Sequence, residues 1–166
     1  ADEIRKAIEF RDTITPALGA KIVARAWVDP AYKMRLLANG TEAIKEFGLD
    51  MGALHLVVVE NTDKVHNMIV CTLCSCYPRA VLGLPPSWYK SREYRSRAVY
   101  EPRKVLAEFG THLSGDTEVR VHDSNADMRY LVLPQRPKGT EHMTEDELAA
   151  LVTRDSMIGV SLPLSA

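Results

Sequence analysis

Apolar positions in the first fifty residues recur at helical spacing. In "ADEIRKAIEF" the residues Ile4, Ala7 and Ile8 fall on one face. "PALGAKIVARAW" opens on Pro16, which suits a first helical turn. "DPAYKMRLLANG" offers Asp29 as N-cap, Pro30 in the first turn and Gly40 as a stop, and "TEAIKEFG" repeats the device from Thr41 as cap to Gly48. None of these segments carries a long apolar face of its own. The pattern predicts a helical arm over residues 1–50 that packs on something else and makes a subunit contact. Residues 51–166 are expected to form the body of the molecule.

From about residue 53 the period shortens towards two. "LHLVVVE" and "HNMIV" are rich in branched side chains and predict strands, separated by the turn signal "NTDK". Pro85 and Pro86 are expected to open one helix and Pro102 another. "TEVRVHD" and "MRYLVLPQRP" alternate as half-buried strands joined by "SNAD". "TEDELAALV" is a helix with Thr144 as cap and Glu147 completing a capping box, and "SMIGVSLP" predicts a closing strand. Helices and strands mix without strict alternation. The expected class is α+β, a helical arm followed by a mixed domain of layered sheets and helices.

Composition narrows the partners. The 166 residues are 46% hydrophobic and 26% charged, the balance of a globular chain. No apolar run approaches the roughly 20 residues needed to span a bilayer, so no membrane role is expected. A formal charge of -1 with no dominant basic tract argues against nucleic acid. The run "YKSREYRSR" interleaves aromatics with cations, but its expected role is packing and subunit contact, with Trp88, Tyr89 and Tyr94 buried. His55, His66, His112, His122 and His142 share no metal-ligand spacing.

The distinctive chemistry lies in "CTLCSCYP", which holds all 3 cysteines, Cys71, Cys74 and Cys76. Three clustered thiols make a poor disulfide framework and point to a reducing, cytoplasmic setting. A redox dithiol needs a helix starting at its first cysteine, and Pro78, Pro85 and Pro86 push any helix downstream. A structural zinc site needs four ligands, with His66 the uncertain fourth, and an iron–sulfur cluster normally takes four cysteines.

C-S-C offers another arrangement. If the amide nitrogens of Ser75 and Cys76 lose their protons, Cys76 sulfur and its own nitrogen close a five-membered ring with a metal. The two nitrogens close a second five-membered ring, and Cys74 sulfur with Ser75 nitrogen closes a six-membered one. Cys71 can supply an axial sulfur, which leaves a sixth position open for water or substrate. Deprotonating amides takes a strongly polarising metal, not zinc, calcium or magnesium. Planar nickel or copper stays open on geometry, and a trivalent low-spin ion fits five strong ligands best. Thiolates held this way are exposed to oxidation to sulfenic and sulfinic acids, whose oxygens then call for arginines.

"VCTLCSCYP", followed by "VLGLPPSWYKSREYRSR", "EPRKVL", "RYLVLPQRPKGTE" and "TRDSMIGV", resembles the nitrile hydratase α subunit from about residue 20 to the end. The related thiocyanate hydrolase metal-binding subunit shares the pattern. The resemblance implies a metal held by Cys71, Cys74 and Cys76 sulfurs with the amides of Ser75 and Cys76. Cys74 would mature to sulfinic acid and Cys76 to sulfenic acid, the latter supplying or activating the nucleophile. Thr72 after the first cysteine points to one non-corrin cobalt(III) ion per chain rather than iron. The implied reaction is hydration of a nitrile to its amide, a hydro-lyase activity. The implied partner is a β subunit whose arginines reach the oxidised sulfurs, in an αβ heterodimer or (αβ)2. Arg129 would support the metal loop and Asp127 would join the same hydrogen-bond network. Arg79 stands where many family members carry a cavity-lining tryptophan, which suits an anion or polar substrate unless the side chain turns outward. The alternatives are a thiocyanate hydrolase metal subunit and a non-catalytic cobalt-binding or delivery protein.

Overall fold

The computed structural model describes residues 2–6 and 14–166. The first long helix, α1 (Pro16–Val28), has Pro16 in its first turn and buries Ala20, Ile22, Val23, Ala24 and Ala26. Helix α2 (Pro30–Ala38) begins where the Asp29 side chain accepts the Tyr32 amide, as expected. Its end differs from expectation. Asn39 closes α2 and caps α3 (Gly40–Ala43) by accepting the Glu42 amide, so Gly40 starts a helix where it was expected to stop one. Thr41 is not a cap, because its hydroxyl accepts the Leu56 amide on the first strand at 2.9 Å.

Strand β1 (His55–Glu60) pairs in parallel with β4 (Met128–Leu133), placing Val58 opposite Leu131. Strand β2 (Val65–Val70) pairs in parallel with β3 (Glu118–Asp123), placing Val70 opposite Asp123. The "NTDK" turn therefore makes no hairpin; it carries the chain from one two-stranded sheet to the other. Between β2 and β3 lie α4 (Arg79–Leu82), α5 (Arg92–Tyr100) and α6 (Pro102–Glu108). Pro85 and Pro86 open only a 3-10 turn over Ser87–Lys90, and Ser91 caps α5 in their place. Helix α7 (Glu145–Ala149) carries the expected capping box of Thr144 and Glu147. The expected closing strand is instead α8 (Arg154–Ile158), capped by Thr153 and Ser156 and stopped at Gly159, whose φ is 94°. Helices and short sheets together make an α+β fold.

One core joins both halves of the chain. Ile22, Val23, Tyr32, Leu36 and Ile44 pack in one cluster with Leu56, Met68, Ile69, Leu131 and Met157. From Pro16 onward the expected arm is thus part of the core, and the boundary expected at residue 50 separates no second one. Helices α1 and α2 look short of apolar surface alone because each packs on other elements of the same chain, α1 mainly on the helices α7, α2 and α4, and α2 on α1, α3 and β1. Residues 2–6 are helical and Ile4 is 68% exposed, while Ala7 and Ile8 lie outside the described residues.

A buried polar cluster ties the sheets to α8. His66 Nε2 bonds the Gly159 carbonyl at 2.6 Å, and Asn67 accepts from His122 Nε2 at 2.8 Å. The Asn61 side chain accepts the Asn67 amide at 2.7 Å and faces His66 Nδ1 at 3.4 Å. Burial lowers the His66 affinity for a proton below its ordinary 6.5, and burial with Arg120 nearby does the same for His122. Above 6.5 both rings are neutral in folded and unfolded chains alike. As pH falls below 6.5 the unfolded chain takes up protons that the folded chain refuses, so stability falls. For His66 the slope approaches about 1.4 kcal/mol per pH unit until its folded value is reached. Denaturant titrations at pH 7.5 and 5.5 are expected to show this loss, and His66→Gln is expected to flatten it.

Candidate metal centre

Strand β2 delivers the cysteines. Met68, Ile69, Val70 and Cys71 are fully buried, after which the chain turns out to exposed Thr72, Leu73 and Cys74. Pro78 then stops the excursion by leading into α4. This out-and-back path folds the thiols onto one another. Cys71 Sγ lies 3.3 Å from Cys74 Sγ, which lies 3.1 Å from Cys76 Sγ. All three sulfurs fall within 4.8 Å of each other, and among the described residues no His, Asp or Glu joins them. The Cys74 amide donates to Cys71 Sγ at 3.4 Å. The Ser75 and Cys76 amides are turned towards Cys74 sulfur and help hold charge there.

Three side chains from elsewhere fix the loop. The Asp123 carboxylate, at the end of β3, accepts the Thr72 amide at 2.9 Å and the Thr72 hydroxyl at 2.6 Å. The Tyr89 hydroxyl donates to the Cys76 carbonyl at 2.7 Å, and Arg95 Nη1 donates to the Cys74 carbonyl at 3.3 Å. Tyr89 is itself wedged edge-on against Tyr77 at 5.0 Å, so burial of these rings sets the loop's height above the core. Tyr89 and Tyr94 are buried as expected, with Trp88 partly so.

Hydrogen bonds from Cys76 and Cys71 bring the Cys74 thiol down to about 7. Burial, then donation to Cys74, pushes Cys76 up to about 12, with Arg129 opposing the rise. Cys74 is thus partly ionised near neutrality, and a bound cation must displace the protons that remain on the thiols it binds. The donor set of three cysteine sulfurs fits a metal that takes soft ligands. It does not fit the four-ligand zinc site, since His66 is committed to Gly159.

Beside the sulfurs lies a cavity of about 290 Å³, lined by Cys74, Ser75, Cys76 and Tyr77, the apolar Met51, Leu54 and Ala80, and the cations Arg79 and Arg129. Arg79 is exposed and lines this cavity. Arg129 donates to the Asn125 carbonyl at 2.5 Å while reaching the cavity. Thr72 faces Asp123 and is not among the residues lining the cavity. Asp127 is not in the network where it was expected. It is exposed, its carbonyl accepts the His55 amide at 2.9 Å, and among the described residues its carboxylate has no partner. Asp123 fills that role instead. Nothing in the local sequence pointed to Asp123, Tyr89 or Arg95, because parallel pairing and helix packing bring them in from 13 to 51 positions away.

The family model for "Nitrile hydratase, alpha chain" matches residues 1–161. The low-molecular weight cobalt-containing nitrile hydratase subunit alpha of Rhodococcus rhodochrous is 61% identical over 155 residues, 93% of this chain and 75% of that protein. Among solved structures, a recombinant thiocyanate hydrolase with partially modified cobalt centres superposes with a TM-score of 0.93 at 43% identity, covering 98% of this chain and 81% of the other. A double mutant of the Fe-type nitrile hydratase from Comamonas testosteroni Ni1 superposes with a TM-score of 0.90 at 45% identity, with the same coverage.

Proposed function

This chain belongs to the nitrile hydratase α-chain family, and on that premise we propose that it is the metal-binding catalytic subunit of a nitrile hydratase. One non-corrin cobalt(III) ion per chain would be held by the sulfurs of Cys71, Cys74 and Cys76 and the nitrogens of Ser75 and Cys76. The observation that carries this reading is the trio of sulfurs within 4.8 Å, with Cys74 and Cys76 lining a cavity. Thr72 and the cobalt named for the Rhodococcus relative support cobalt over iron.

The bound ion supplies Lewis acidity that makes the nitrile carbon electrophilic. The chain's own residues supply the rest. Cys76, matured to a sulfenic acid, presents an oxygen that orients a water to add to that carbon, or that attacks the carbon itself, a water then releasing the amide and restoring the sulfenic acid. Its main chain is held by Tyr89, which keeps the side chain on the cavity wall, where proximity would lower the barrier. Cys74, matured to a sulfinic acid, carries charge that arginines of a β subunit would neutralise. Met51, Leu54 and Ala80 exclude water from the substrate's apolar end. Leu73, 86% exposed on the metal loop, and Tyr100, 86% exposed on α5, are apolar surface that a β subunit would cover in an αβ or (αβ)2 assembly. Thiols that must stay reduced until the metal arrives suit the cytoplasm.

A second reading, a thiocyanate hydrolase metal subunit, is favoured by the two guanidinium groups of Arg79 and Arg129 lining the cavity, which suit an anion. The complex purified with its partner decides. About one cobalt per chain, with amide formed from a nitrile, is the expected result. Ammonia and carbonyl sulfide released from thiocyanate, with no amide from nitriles, would replace this reading by the second. Metal in an unoxidised claw without turnover on either substrate would identify a cobalt-delivery protein.

A further inference from the structure

The claw is held through its carbonyl groups, and the two donors that hold them differ in charge. Tyr89, a neutral hydroxyl, bonds the Cys76 carbonyl at 2.7 Å. Arg95, a full cation, bonds the Cys74 carbonyl at 3.3 Å. Arg95 comes from α5, where its neighbour Tyr94 donates to the Ile69 carbonyl of β2 at 2.6 Å and so locks the helix to the strand that leads into the claw. The Arg95 Nε is buried without a hydrogen-bond partner, and among the described residues no carboxylate pairs with this guanidinium. Its charge is therefore left for the loop.

The two carbonyls also differ in chemistry. The Cys76 carbonyl belongs to the peptide leading to Tyr77, whose nitrogen has no part in the proposed ligand set. The Cys74 carbonyl belongs to the peptide whose nitrogen is that of Ser75, which does. When this nitrogen gives its proton to water and bonds a metal, the remaining negative charge is shared with its own carbonyl oxygen, because nitrogen and carbonyl are conjugated. A cation on that oxygen lowers the free energy of the ligated peptide. It gives no comparable help to a metal held by sulfur alone.

We propose that Arg95 is a positioning residue of the metal centre: through the Cys74 carbonyl it stabilises the charge that the Ser75 peptide carries as a ligand. It thereby favours a metal that takes main-chain nitrogen over one that takes only thiolates. This rests on the ligand set proposed above, and the test separates the two ideas.

Parent, Arg95→Met and Arg95→Lys chains are purified with the partner subunit after production with limiting cobalt or with zinc, and metal is counted per chain. Folding is checked by circular dichroism. Arg95→Met is expected to lower cobalt occupancy about tenfold while zinc occupancy stays within about twofold, and Arg95→Lys is expected to recover most of the cobalt. Unchanged cobalt, or an equal fall in both metals, would overturn the proposal, since the arginine would then be idle or merely shaping the loop. Labelling cysteine carbonyls with carbon-13 reports the ligand set itself. Only one of the three labelled carbonyls, that of Cys74, sits on a peptide proposed to bind metal. In the parent, cobalt should lower the stretching frequency of one labelled carbonyl. No such shift would remove the ligand set and the proposal together. A shift alongside unchanged cobalt occupancy in Arg95→Met would remove the proposal alone.

Discussion

Replacing Cys76 by alanine is expected to cut turnover per metal ion by more than about 10³-fold. In the proposed chemistry Cys76 bears the oxygen that reaches the nitrile carbon, and no other side chain on the cavity wall offers a substitute. The remaining polar groups there are guanidinium cations, the Ser75 hydroxyl, the Tyr77 phenol and the Cys74 sulfur. The fold should survive. Cys76 is only partly buried, and the bond that fixes its position runs from Tyr89 to its main-chain carbonyl, which the substitution leaves in place. The substitution also removes a ligand, so some metal will be lost, and rates must be divided by the cobalt found in each preparation. Circular dichroism and a melting curve on the same samples check the fold. Turnover per cobalt close to the parent value would rule out Cys76 oxygen as the nucleophile and leave a water activated elsewhere.

The claw was legible in the sequence because its chemistry is local. Cys71, Cys74, Ser75 and Cys76 lie within six positions, and the chelate rings they close need no knowledge of the fold. What holds the claw was not legible. Asp123 meets Thr72 only because β2 and β3 run parallel with Val70 opposite Asp123, and nothing along the chain announces that register. Asp127 was the natural candidate for the acid beside the metal loop, since it precedes the arginine that does reach the cavity. It lies on the loop before β4, which pairs with β1 in the other sheet. The packing of the expected arm was hidden for a related reason. The apolar faces of α1 and α2 suggested a dependent segment, and they do pack on other elements of their own chain, α1 mainly on helices and α2 also on β1. In "SMIGVSLP" the apolar residues suggest a closing strand. The signals that govern it are the caps Thr153 and Ser156 and the left-handed stop at Gly159, packed into too few residues for a helical period to show.

Gly159→Ala is expected to destabilise the chain by about 3–5 kcal/mol and to lower the cobalt it retains. Gly159 ends α8 with φ 94°, its amide and those of Val160 and Ser161 returning to the Asp155 carbonyl at 3.0, 3.0 and 3.3 Å. A side chain at that φ is strained wherever it occurs. Here it would also meet the main chain of β2, lying against the Asn67 carbonyl oxygen and 2.6 Å from Met68 Cα. Backbone cannot step aside as a flexible side chain would. Either β2 shifts, carrying Cys71 three residues on, or α8 lifts and breaks the bond from His66 to the Gly159 carbonyl. Gly48 supplies the control. It has φ 73° with nothing within 4 Å of a built Cβ, so Gly48→Ala should cost only the conformational penalty of about 1–2 kcal/mol. Denaturant unfolding of both variants separates strain from collision. A Gly159→Ala chain no less stable than Gly48→Ala would mean that α8 is free to move away from β2. The strand leading into the claw would then have to be held by Tyr94 and the sheet alone.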